Sequence, residues 1–212
     1  MINSLGPGRG NVPDGYEIVD TPFPLRFWDW SPSQAKEFFE WFVTNIPTRL
    51  AILTRTLNVA RSRGGADSLR LDESPASFVA LGRWLADNAS ERPVTVAEML
   101  HYERLPEMES IGIPDPTTVD DAKTLSLCFD AGIYLAETLR HRHPHLSWTY
   151  VREPKNAFDY NCPVLDGFRE LGRLDGYQVV QVTVGTREDD CDVGSEFLRV
   201  FTVWDAYASP IR

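Results

Sequence analysis

The sequence predicts a single α+β domain in which a small antiparallel sheet packs against several helices. Three observations predict it. Apolar residues recur at helical spacing in long segments that begin with recognisable caps. Two short stretches rich in β-formers, LSWTYVRE (146–153) and CPVLDGF (162–168), stand close enough to pair antiparallel across residues 154–161. The chain has 212 residues and 42% apolar content, enough for one substantial core, and no internal repeat.

The elements follow in order. Residues 1–15 carry Gly6, Pro7, Gly8, Gly10, Pro13 and Gly15 and no apolar run, so they read as a flexible lead-in rather than a signal peptide. The domain proper then spans 16–212. YEIVDTPFPLRFWDW, with Pro22 and Pro24, reads as an edge strand or a strap across the core. Ser31, Pro32 and Gln34 form a capping box at the start of a helix whose inner face is Ala35, Phe38, Phe39, Phe42, Val43 and Ile46. Pro47 should break or kink it, since proline lacks the N–H and crowds the preceding turn. Leu50, Leu53 and Leu57 continue the face until Gly64 and Gly65 stop it.

LRLD (69–72) is a short strand candidate. Ser74 and Pro75 then open a helix with Phe78, Leu81, Trp84 and Leu85 inward. Residues 88–117 read as a long, irregular connection that holds at most one short helix, TVAEMLHYERL. The strongest helix is TVDDAKTLSLCFDAGIYLAETLRHR, capped by Thr118 and ended by Pro144. Its residues Ala131, Gly132 and Ala136 permit close approach of another element. GYQVVQVTVGT (176–186) fits a strand by its valines and a helix by the spacing of Tyr177, Val180 and Val184. Glu196 to Tyr207 reads as a terminal helix with Phe197, Val200, Phe201 and Trp204 inward.

Charge and composition exclude some functions. The net charge is −10 and the basic residues, 18 Arg and 3 Lys, are scattered, so phosphate backbones repel the chain and nucleic acid is not the expected partner. No apolar run approaches the ~18 residues of a membrane span. Three well-separated cysteines, Cys128, Cys162 and Cys191, do not make a disulfide framework and fit a reducing cytoplasm.

Chemistry-bearing patterns are few. HRHPH places His141, His143 and His145 together, but Pro144 and Arg142 interrupt them. A cationic helix terminus against the dipole is the better reading, so no metal is expected. Cys162 could be a nucleophile served by Asp159 and a histidine, yet no local signature surrounds it, and a small buried residue is the plainer reading. Asp130 and Glu137 lie nearly on one helix face; Glu137 is expected to anchor a neighbouring loop by accepting hydrogen bonds. EDDCD (188–192) lacks the order of a calcium loop and reads as a solvated acidic loop. GxSxG, Walker, GxGxxG and HExxH motifs are absent from the sequence, and no cofactor is expected.

SPSQAKEFFEWFVTNIPTRLAIL, LRLDESPASFVALGRWL, DAGIYLAETLRHRHPHLSW and NCPVLDGF, in that order, resemble a loose group of uncharacterised bacterial proteins. In that group a helix ending in a YxGE-like turn runs into a strand carrying Trp; here Ala136 stands where the small residue is Gly. The group is similar to the immunity-type proteins found beside polymorphic or contact-dependent toxins. The resemblance covers about residues 25–207, favours a helix for 176–186 and carries over no catalytic residue. It implies a non-enzymatic cytoplasmic protein that binds a protein partner, a basic toxin, with acidity steering the encounter. The candidate contact residues are Glu188, Asp189, Asp190, Asp192 and Tyr160. Two other readings stand beside it: a small hydrolase or transferase using Cys162, and a subunit of a larger assembly docking through Trp28 and Trp30. KNAFDYNCPVLDGF (155–168) is read as the entry to a hairpin, not as a catalytic loop.

Overall fold

A computed structural model describes residues 12–25, 27–64, 69–96, 118–169, 172–186 and 191–208, the side chain of Trp28 excepted. Five helices and two two-stranded antiparallel sheets pack together among these residues: α1 (Pro32–Ser62), α2 (Pro75–Asn88), β1 (Glu91–Pro93), β2 (Thr118–Asp120), α3 (Ala122–Arg142), β3 (Ser147–Tyr150), β4 (Pro163–Asp166), α4 (Gly176–Gly185) and α5 (Val193–Ala208). The α+β expectation therefore holds. None of the described helices is long and apolar enough to cross a membrane.

The centre of the molecule is α3. All residues from Ser126 to Leu139 are buried on every side of this helix, which a helix achieves only when neighbours surround it. Its cap is Asp121, which accepts the Thr124 N–H at 2.8 Å, and not Thr118. Thr118 to Asp120 instead form β2, which pairs with Glu91–Pro93 inside the stretch read as an irregular connection. Ser90 explains the pairing: it exchanges hydrogen bonds with Thr124 and donates its hydroxyl to Asp121 at 2.6 Å, pinning β1 beside the helix start. The short helix expected at 95–105 lies outside the described residues save for its first two positions.

α1 begins at the expected capping box, with Ser31 and Gln34 reciprocally bonded. It runs through Pro47 as one helix of 31 residues, so the expected break is absent. Pro47 and Val43 are both exposed, and water can serve the Val43 carbonyl that proline leaves without its helical donor. Residues 69–72 form a bend, not a strand; Leu69 alone turns inward. The segment 16–25 is a strap without strand pairing, and the expected lead-in is already engaged at Val12, which packs on the core. Residues 1–11 lie outside the described residues.

Close approach occurs where small residues were found. A methyl group added at Gly132 would meet backbone atoms of Gly176 at 2.5 Å, so α3 and α4 touch main chain to main chain. Residues 176–186 are helical, and burial explains the choice: Val180 and Val184 fill the core on one face while Val182 remains outside. The hairpin is as expected, with Ser147 opposite Asp166 and Tyr150 opposite Pro163. Two apolar clusters result. One lies around α2, α3 and α5, the other around α1, the strap and the hairpin, and both touch Ile18, Leu50, Trp148 and Tyr177.

Candidate functional site

The site is built from the hairpin outward. Beyond β4 the chain turns back, and Leu174 pairs antiparallel with Leu165, each N–H donating to the other's carbonyl at 2.9 Å. Side chains alternate along extended chain. Leu165 and Leu174 enter the core, so Asp166, Arg173 and Asp175 take the opposite face. There they line a cleft of about 560 Å³ together with Phe158, Asp159, Gln178, Val179 and Trp204.

The loop before β4 is fixed by Asn161. Its φ of 66° is a left-handed conformation that asparagine tolerates, and its buried amide donates to the carbonyls of Phe27 and Trp30 at 2.8 and 3.2 Å. Asp159 is thereby held at the cleft floor, 5% exposed, where Arg173 donates to it from Nε at 3.2 Å and more distantly from its terminal nitrogen at 3.5 Å. Phe158, next in the loop, is 79% exposed at the rim.

Asp175 is the unusual member. It caps α4 by accepting the Gln178 N–H at 3.1 Å and is 6% exposed. Burial pushes its carboxyl up to about 6, and Asp159 adds to the push; the Gln178 N–H and the Cys162 thiol oppose it. Among the described residues no cation pairs with Asp175. The cleft thus sets three carboxylates, two of them buried, against one guanidinium and two aromatic walls.

The sequence-derived candidates fall unevenly about this cleft. Tyr160 is half-buried in the loop beside Asp159. Asp192 is far from free: it accepts both arms of Arg83 at 3.0 and 2.8 Å and the Ser195 hydroxyl at 2.7 Å, which holds its carboxyl well below the usual range and joins α2 to the start of α5. Glu188, Asp189 and Asp190 lie outside the described residues.

Cys162 is buried beside the cleft, and burial, then Asp175 and Asp159, push its thiol far above the ordinary range. A thiolate nucleophile needs the reverse. The histidines serve elsewhere: His141 bonds Glu73 at 2.8 Å and His143 bonds Asp205 at 2.9 Å. The hydrolase reading is left without an observation in its favour. Trp30, expected as an exposed docking residue, is buried between Phe27 and Phe38, and Trp28 lies outside the described side chains. Glu137 is an anchor, accepting from Arg140 and from the Trp148 indole at 2.7 Å, so its main tertiary partner is a strand rather than a loop.

Sequence reading missed Asp166, Arg173, Asp175 and Trp204. One signal was available: Asp175 followed three residues later by Gln178 is a capping pattern. No family model, curated protein or solved structure matches the chain.

Proposed function

We propose that the chain is a non-enzymatic, cytoplasmic protein-binding protein of the immunity type, which neutralises a basic toxin by receiving part of it in the acidic cleft. The observation that carries this reading is the cleft itself, where buried Asp159 and Asp175 lie beneath an exposed Phe158. A buried carboxylate without a cation is costly in a free protein, and a basic partner offsets that cost on binding. An exposed aromatic beside a cleft is the composition that interface centres favour. The net charge of −10 speeds encounter with a basic partner. The resemblance to immunity-type proteins supplies the biological role.

The test is a growth assay in which each neighbouring reading frame of the source genome is expressed alone and together with this protein. A toxic neighbour rescued by co-expression is the expected result. Absence of any toxic neighbour would remove the immunity role.

A further inference from the structure

The cleft has a more specific chemistry than acidity. Its carboxylates are not equivalent. Asp159 already holds a guanidinium of this chain, that of Arg173, at 3.2 and 3.5 Å. These contacts are long beside the 2.7 and 2.8 Å of the buried Arg49–Asp130 pair. The Arg173 side chain is 31% exposed, so this guanidinium lies at the open edge. Asp175, two residues along the same extended segment, lines the same cleft without any cation among the described residues. It is more than nine-tenths buried. A second carboxylate on the same face as a weakly held guanidinium is a place for a second guanidinium. The walls suit it: Trp204 and Phe158 offer ring faces, and arginine stacks on aromatic faces while its fork meets carboxylates.

Resting on the reading of this cleft as the partner-binding site, the geometry points to a pocket for an arginine side chain of the partner protein, received by Asp175 between Trp204 and Phe158. Arg173 sits beside it on Asp159 and sets the fork's approach. A cleft of about 560 Å³ exceeds the needs of one guanidinium and its stem, leaving room for the flanking residues of a peptide segment. The raised proton affinity of Asp175 agrees with this: the site keeps its charge poorly until a cation arrives.

The experiment titrates the full chain with a blocked three-residue peptide, acetyl-Gly-Arg-Gly-amide, and with its citrulline counterpart, following binding by calorimetry and by amide shifts of Gln178 and Val179. Citrulline keeps the shape and removes the charge. The arginine peptide is expected to bind, with its citrulline form weaker by at least about tenfold, the factor that one charge-assisted hydrogen bond supplies. D175N is expected to lose a similar factor, and it folds, because asparagine also caps helices. W204L, a second variant away from the helix cap, is expected to lose about threefold or more of the affinity. Equal binding of the arginine and citrulline peptides, or unchanged binding by both variants, would overturn the assignment. Agmatine, a free guanidinium compound, binding as tightly as the peptide would overturn its protein source. Arginine binding together with a failed rescue assay leaves this pocket standing and removes the immunity role; rescue without arginine binding does the opposite.

Discussion

Two aspartate–arginine pairs in this protein look alike in a drawing and do opposite things. Asp130 on α3 is fully buried and receives Arg49 of α1 by both arms at 2.8 and 2.7 Å, with the Tyr16 hydroxyl donating to it at 2.7 Å. Burial pushes the Asp130 carboxyl upward, and the Arg49 fork and the Tyr16 hydroxyl pull it back. Arg49 also donates to the Glu17 carbonyl, and Ser126 accepts the Val19 N–H, so strap, α1 and α3 are tied at one point. Every polar atom there has a partner inside the protein. Around Asp159 the Arg173 contacts are longer and half-open, and the neighbouring Asp175 has no cation among the described residues. A closed network specifies a fold; an open one leaves capacity for a ligand.

Breaking the closed pair gives the largest expected effect. R49A leaves a buried carboxylate uncompensated and is expected to cost about 3–5 kcal/mol, read as the shift of the urea midpoint at constant slope. A cost below about 1 kcal/mol would mean that Asp130 is neutral in the fold and the network is not closed. Next comes G132A. Its methyl group would collide with the Gly176 backbone, one residue after Asp175, and is expected to cost about 1–3 kcal/mol by forcing α4 away from α3. A loss of arginine-peptide affinity in G132A, beyond its stability loss, would show that this contact positions Asp175. The smallest effect belongs to R173A. With a partly exposed side chain and long contacts it is expected to change stability by less than about 1 kcal/mol. A cost of the size expected for R49A would erase the distinction between the two pairs.

The closed half of the molecule was legible in the sequence, and the open half was not. Capping residues and 3.6-residue periodicity are local signals, so Ser31 with Gln34, Ser74 with Pro75, and the inward faces of α1, α2 and α5 could be read directly. The hairpin followed from two β-rich stretches near in sequence. β1 and β2 were hidden because their pairing joins residues 91–93 to 118–120, each too short to show alternation. Asp130 was noticed as a carboxylate on an apolar helix, but its partner Arg49 stands 81 residues earlier and carries no mark of burial. The cleft failed for the same reason. Asp159, Asp166, Asp175 and Trp204 come from a loop, a strand end, a helix cap and a distant helix. Only the Leu165–Leu174 pairing, a tertiary fact, turns three of the cleft residues to one face. The acidic loop at 188–192 attracted notice because its charges are contiguous, yet its described member Asp192 is engaged as a cap and ion-pair partner.

The central claim is that Asp175 is kept charged against the interest of the fold. Its folded carboxyl titrates near 6 against an ordinary 3.8, so the fold favours the protonated form. Below about pH 4 the group is protonated in folded and unfolded chains and costs nothing. As pH rises through 6 the folded state must ionise it, and stability falls by an amount on the order of 3 kcal/mol. Thermal unfolding of the native chain and of D175N from pH 4 to pH 8 tests this directly. The account predicts similar melting temperatures at pH 4 and a D175N protein that melts several degrees higher at pH 8. A D175N protein less stable than the native chain at pH 8 would contradict it, and would make Asp175 a structural cap like any other.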